Sequence, residues 1–279
     1  MRSIQVGAAR VTLVNAGMMT LRLADEFAVP ESEWRPAYAD LFDQPRLSPS
    51  LSALITLNDA RVLVDANDYR ATISPESEYY VPDYTPPAPV EEQVVSLGVR
   101  PEDVTHVVIT HAHWDHYAGL TSSREGGAPM YPHARVYLGQ ADWEDGETQA
   151  GLADPASLES RTLGLLREQG ALELLSGPRE LTPGVDILPA GGETPGHQIV
   201  RVRSQGETLY ILGDLFHNEV EVEHPDWMVT WATPALMRAS RRWLMDAALA
   251  EGALLTAAHI DTVGRLERVG AGMRWAVVN

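Results

Sequence analysis

Six consecutive residues, His111-Ala112-His113-Trp114-Asp115-His116, follow directly on the apolar, β-branched run Val104 to Thr110. That run reads as a buried strand. Three imidazoles and a carboxylate crowded at its end are unfavourable to hold together unless something binds them. His111 and His113 are two residues apart, so an extended segment leaving the strand points both rings to one side. If the chain then turns into a helix, Asp115 and His116 project from its first turn toward a neighbouring position. This spacing suits two metal centres side by side, each taking imidazole nitrogen and carboxylate oxygen.

Two absences limit what other chemistry is open. The 279-residue chain has no Cys, and all 21 of its basic residues are Arg. There is therefore no thiolate, disulfide, Cys-type zinc site or Cys-held iron–sulfur cluster. A Schiff-base lysine and a Walker-type phosphate loop are equally excluded. Catalysis falls to His, Asp, Glu, Ser, Tyr, Arg or a metal held by oxygen and nitrogen. A formal net charge of −18 repels phosphate backbones and anionic lipid, so neither nucleic acid nor a membrane is expected as a partner. The N-terminus shows no apolar run behind a basic start, and no stretch approaches the ~20 apolar residues of a membrane span. The expected location is the cytoplasm.

Along the chain, short strands are expected at Arg10 to Val14, Leu51 to Leu57 and Arg61 to Val64, the last two joined as a hairpin through Asn58-Asp59-Ala60. A long polar and aromatic insertion, Met18 to Pro49, separates the first strand from this hairpin, and a second irregular stretch runs from Asn67 to Pro89. Val90 to Leu97 and the region from Ala156 to Gln169 read as helices. Further strands are expected at Arg135 to Leu138, Val185 to Leu188, Gln198 to Val202, Thr208 to Leu212, Leu254 to Ala257 and Trp275 to Val278. An amphipathic helix is expected over Pro234 to Glu251, with Leu236, Ser240, Trp243, Leu244 and Ala247 on one face. No linker divides the pattern. It reads as a single domain over residues 1–279, of the α/β class, with two sheets and helices packed outside them.

More candidate ligands stand at strand ends. His197 closes Glu193-Thr194-Pro195-Gly196-His197 before a strand, Asp214 follows Tyr210-Ile211-Leu212-Gly213, and His259 follows Leu254 to Ala258. Each alone reads better as a structural residue; with the first cluster they form one arrangement. HAHWDH, TPGH, LGD and AAH, in that order, resemble the metallo-β-lactamase superfamily over most of the chain. The resemblance implies a four-layer αβ/βα sandwich with the site along the edge shared by two sheets. It implies that His111, His113 and His197 hold one metal, that Asp115, His116 and His259 hold a second, and that Asp214 bridges them. The cofactor implied is two Zn²⁺, with Fe, Mn or Co able to use the same donors. The implied reaction is hydrolysis by a hydroxide shared between the metals, with Asp115 passing a proton to the leaving group.

Within the superfamily the long N-terminal insertions and the tail His259-Ile260 followed by Gly264-Arg265 resemble acyl-homoserine lactonases and methyl-parathion-hydrolase-type enzymes. Two Zn²⁺, Asp115, Asp214 and a hydroxide leave about +1 at the site, inside a strongly acidic protein. A small neutral substrate is therefore expected rather than a polyanion: a lactone or related ester, with a phosphotriester as the alternative. Lactonases of this kind often place Tyr three residues after the bridging Asp, where this chain has His217, a candidate catalytic group donating a hydrogen bond to substrate. An iron redox protein of the flavodiiron type fits less well, since an acidic residue normally stands where His113 does. The resemblance also makes a homodimer plausible. His106 is expected to pack in its strand and His133 to lie on the surface. His224, Trp227 and Trp231 are candidates for a lid or pocket wall, and Tyr79, Tyr80 and Tyr84 for covering the sheet or an interface.

Overall fold

The computed structural model describes residues 1–68, 81, 84–122, 127–270 and 272–278. Tyr79 and Tyr80 lie outside them. Strands β1 (Arg2–Val6), β2 (Ala9–Leu21), β3 (Arg46–Leu57), β4 (Ala60–Val64), β5 (His106–Val108), β6 (Arg135–Gly139) and β7 (Leu172–Leu175) pair in chain order. Contacts are antiparallel from β1 to β4 and parallel from β4 to β7. The second sheet has the order β14 (Gly272–Val277), β13 (Ile260–Val269), β12 (Leu254–Ala257), β11 (Glu207–Ile211), β10 (Gln198–Ser204), β9 (Val185–Pro189) and β8 (Arg179–Thr182). Only β11 and β12 pair in parallel there. The helical segments are α1 (Leu23–Glu26), α2 (Glu31–Asp43), α3 (Val90–Ser96), α4 (Trp114–Tyr117), α5 (Gln140–Trp143), α6 (Gly146–Ala153), α7 (Leu165–Glu168), α8 (Val220–Glu223) and α9 (Pro234–Glu251).

Strand alternation sorts the apolar residues into layers. Val62 and Val64 face the second sheet and meet Val185, Val200 and Leu209, whereas Leu63 between them faces outward with Val90, Val94 and Leu166. On the far side Ile199, Tyr210 and Leu255 pack against Met237, Leu244 and Ala248 of α9. Helices, sheet, sheet and helix therefore form the four layers expected.

Three expectations are corrected in detail. The segment Met18 to Pro49 is not an irregular insertion: β2 and β3 stay paired from Gly17↔Ser50 to Leu21↔Arg46, past a register shift at Asn15/Gly17. Its polar residues belong to a long hairpin arm whose outer faces are solvated, with α1 and α2 at the tip. Strand β5 is shorter than the run Val104 to Thr110: it begins at His106, and beyond Ile109, whose N–H still bonds the Tyr137 carbonyl, Thr110 turns to Asp65. The face of α9 is rotated: Met237, Arg241, Leu244, Met245 and Ala248 are buried, while Leu236 and Trp243 are exposed. Arg241 defeats hydropathy reasoning because its charge is paired inside the protein with Glu221.

At the arm's tip, Leu23, Phe27, Trp34 and Phe42 form a small aromatic core with Val220, Trp227 and Val229. A backbone bridge joins Phe27 to Val229, and Ala28 and Thr230 donate to the carbonyls of Met228 and Glu26. The arm is thus fastened over the loop that follows Asp214.

Candidate metal centre

Parallel pairing of β4, β5 and β6 brings their carboxyl ends to one edge, where Asp65, His111 and Asp142 follow them. The second sheet delivers His197 before β10, Asp214 after β11 and His259 between β12 and β13 to the same edge. His113 is extended, with φ −80° and ψ 142°, and caps α4, whose first turn carries Asp115 and His116. The strand-to-helix transition expected for the His-rich motif is present. Two glycines let the loops approach. A Cβ on Gly213, at φ 53°, would meet Thr110 at 2.7 Å and His197 Nε2 at 2.9 Å; one on Gly196 would meet the backbone nitrogen of Asp142 at 2.4 Å.

Two groups of ligand-type atoms result, each within 4.8 Å of one another: His111, His113, Glu193 and Asp214, and Asp115, His116 and His259. Asp214 Oδ2 lies between them, 3.8 Å from His111 Nε2, 3.3 Å from His116 Nε2 and 3.1 Å from His259 Nε2. Asp115 Oδ2 stands 3.3 Å from His116 Nε2 and 3.6 Å from His259 Nε2. His197 sits beside the first group, its ring 5.2 Å from that of His111, with Nε2 accepting the backbone N–H of Asp214 at 3.1 Å. His217 lines the cavity above, its Nε2 3.5 Å from both Asp214 Oδ2 and Glu193 Oε1.

Three acidic residues of this neighbourhood escaped the sequence reading. Asp65 accepts from Thr110 N–H at 2.7 Å and holds His116 Nδ1 at 2.9 Å, turning Nε2 into the site. Asp142 accepts from Ala112 N–H, Thr194 hydroxyl and Gly196 N–H, fastening the loop of the His-rich motif to the TPGH turn. Glu193, one residue before that turn, enters the first group itself. The available signal for Asp65 was its place directly after the apolar Val62-Leu63-Val64, as Asp214 follows its own strand. The carbonyls of Pro49 and Ala190 orient His259 and His197 through Nδ1 in the same manner.

Does the donor set fit a metal pair? Buried atoms without hydrogen-bond partners include His116 Nε2, Asp214 Oδ1 and Glu193 Oε2, and such atoms are unfavourable in a protein interior unless a cation meets them. The proton affinities agree. Burial drives His111 well below the usual imidazole range and His197 down to about 4, so both are neutral. For His116, His217 and His259 burial acts the same way, but the facing carboxylates outweigh it and raise all three. Burial also opposes the charge on Asp214, yet His259 and His116 hold it well below the usual carboxylate range. The carboxylates call for positive charge at two adjacent places. Nitrogen and oxygen donors so arranged suit zinc and related divalent metals.

The remaining aromatic candidates separate cleanly. Trp231 lines the cavity and donates its indole N–H to Glu193, and Trp114 lines it too. Trp227 is buried in the tip core, where His224 stacks on it at 3.9 Å and holds Tyr38 Oη. His106, at the start of β5, bonds the hydroxyl of the preceding Thr105, and His133 is exposed. Tyr84 is half-buried beside the backbone of Met18.

A His- and carboxylate-lined centre at the common edge of two sheets has the donor set of a metal centre. The family model of the metallo-β-lactamase superfamily matches residues 45–262, and the chain belongs to that superfamily. Among similar proteins is an N-acyl homoserine lactonase of Bacillus cereus, 22% identical over 126 residues, 44% of either chain. The chain spans about half the length of the curated relatives it matches. Among solved structures, the dizinc quorum-quenching lactonase AidC superposes with a TM-score of 0.78 at 19% identity, over 100% of this chain and 97% of that one. The hydrolase AbOPH gives 0.78 at 17% identity, over 99% and 97%. Among the described residues no helix is long and apolar enough to cross a membrane.

Proposed function

We propose that this hydrolase opens a lactone or a closely related neutral ester, using two metal ions held by His111, His113, Asp115, His116, His197, Asp214 and His259. The observation that carries the reading is Asp214 Oδ2 poised between the two ligand groups at the base of a cavity of about 850 Å³. Part of the cavity wall is apolar, built by Met19, Leu21, Leu23 and Phe27 of the hairpin arm with Val229 and Trp231. It suits an uncharged organic substrate of modest size. Bound zinc, or iron, manganese or cobalt in its place, supplies Lewis acidity and lowers the pKa of a water toward neutrality.

The chain's own groups supply the rest. His217, above Asp214, is placed to donate a hydrogen bond to the substrate carbonyl as negative charge develops there. Asp115, on the first turn of α4 and lining the cavity, is held as a carboxylate by His116 and His259 against the effect of burial; it takes a proton from the attacking water and passes it to the departing alkoxide. The aromatic core at the tip fastens the arm to the loop that follows Asp214.

The decisive assay measures bound metal and then turnover of acyl-homoserine lactones, simple γ- and δ-lactones, aryl esters and neutral phosphotriesters, with and without chelator. Lactone or ester cleavage that disappears with the metal is the expected result. Cleavage of triesters alone would move the reading to a phosphotriesterase, and undiminished turnover after complete metal removal would end it.

A further inference from the structure

The charge of the cavity narrows the substrate class further, on the basis of the hydrolase reading above. Glu193 is buried at 3% exposure, its Oε2 has no hydrogen-bond partner, and it lines the cavity within 3.5 Å of His113 and His217. It adds a third carboxylate to those of Asp115 and Asp214. Against two divalent ions and one hydroxide, three carboxylates leave a net charge of about zero, where Asp115 and Asp214 alone leave about +1. The same cavity is also lined by Glu26, Glu147, Glu219 and Asp261, of which Glu147 and Asp261 are exposed and Glu26 and Glu219 half-buried. Arg46, the one guanidinium among the described lining residues, donates to the carbonyls of Leu41 and Asp40 at the end of α2 and keeps its charge, so these four carboxylates face a single cation. A neutral centre beneath an acidic collar does not draw anions in. Clefts lined by one sign of charge change encounter rates by about 10 to 10³.

We infer that Glu193 and the acidic collar exclude anionic ligands, so that the substrate is neutral or carries a cationic group. The same arrangement expels product. Ring opening or ester cleavage leaves a carboxylate, with the alkoxide protonated to an alcohol, and that new anion faces Glu193 as it forms. The collar is then a device for release as much as for selection.

Two measurements test this separately. The first compares three esters with one leaving group and chain length, ending in a neutral group, a trimethylammonium or a carboxylate. At low ionic strength kcat/KM for the carboxylate ester should fall at least about tenfold below the neutral one, and the cationic ester should match or exceed it. High salt, or the pair Glu147→Gln and Asp261→Asn, should narrow the gap. Equal kcat/KM for carboxylate and neutral esters at low salt would overturn the inference. The second measures acetate binding to the metal-loaded protein by calorimetry, with metal content determined for each sample. Glu193→Gln should bind acetate about tenfold more tightly, and unchanged affinity would overturn the role of Glu193. If no ester is cleaved at all, the hydrolase reading fails, while the acetate measurement still decides the inference.

Discussion

At the scale of single residues, the ligands depend on groups that never touch the cavity. Asp65 is 2% exposed and holds both Thr110 and His116. Burial raises its proton affinity, and His116 with the Thr110 hydrogen bonds pulls it back. Replacing such an orienting carboxylate lowers metal affinity by about 10- to 100-fold. Asp65→Ala should therefore lose metal in a chelator competition at concentrations where wild type keeps it; equal retention would show that His116 needs no orientation. His217 is tested by His217→Tyr, which introduces the residue often found at this place in the lactonases that the motif resembles. A shift in kcat on lactones with metal content unchanged is expected, and identical kinetics on every substrate would demote His217 to a packing role. These residues also show what a sequence discloses. His111, His113, Asp115 and His116 are legible because their relation is local, a strand running into a helix. Asp65 and Asp142 act on residues 51 and 30 positions away, and only parallel strand order makes them neighbours. Glu193 was visible in its motif, but its proximity to His217 depends on the folding of a separate loop.

At the scale of elements, α9 and α8 hold the loop behind Asp214 through one buried ion pair. Arg241 and Glu221 are both 0% exposed and paired. The guanidinium also takes the carbonyls of Leu215, Pro225 and Trp227, while Glu221 accepts the backbone N–H groups of His217 and Asn218. Removing one partner strands the other charge, and Arg241→Ala should reduce stability by about 3–5 kcal/mol. Denaturant unfolding measures it; a loss below about 1 kcal/mol would mean that water enters and solvates Glu221. Leu244, on the same helix, is fully buried against the second sheet, and Leu244→Ala should cost about 2–5 kcal/mol. The exposed Trp243→Ala should change stability by no more than about 0.5 kcal/mol. That contrast checks the observed face of α9 directly. Hydropathy placed Trp243 inward because an arginine on the buried face is invisible without its partner. The hairpin arm escaped notice for a related reason: a strand solvated on its outer face shows little apolar patterning.

At the scale of the whole molecule, the two sheets are stable enough to gather carboxylates and imidazoles whose charged forms burial opposes. Metal ions relieve that opposition, so their removal should lower the melting temperature. The pH dependence has a definite sign above neutrality. His116, His217 and His259 hold protons in the metal-free fold more tightly than free imidazole does, the facing carboxylates outweighing burial. Groups raised in this way stabilise the fold fully below about pH 6.5, the unfolded value, and lose that contribution as pH rises through their folded values. His111 and His197, lowered by burial, act in the opposite direction but only below that same pH. From pH 7 to 9 the metal-free protein should therefore lose stability while the metal-loaded protein does not. Thermal melts of both forms across that range check this, and parallel curves would show that protons do not stand in for the metals. The layered fold itself was legible from strand order and alternation, since both are dictated by burial. The share of each loop in the cavity was not.

The central claim is that two metal ions, gathered around Asp214, carry hydrolysis of a neutral ester. Stepwise addition of Zn²⁺ to metal-free protein, with lactone or ester turnover followed at each step, tests it most directly. No turnover without metal and a plateau at two equivalents per chain are expected. A plateau at one equivalent, or full turnover before any metal is added, would contradict it.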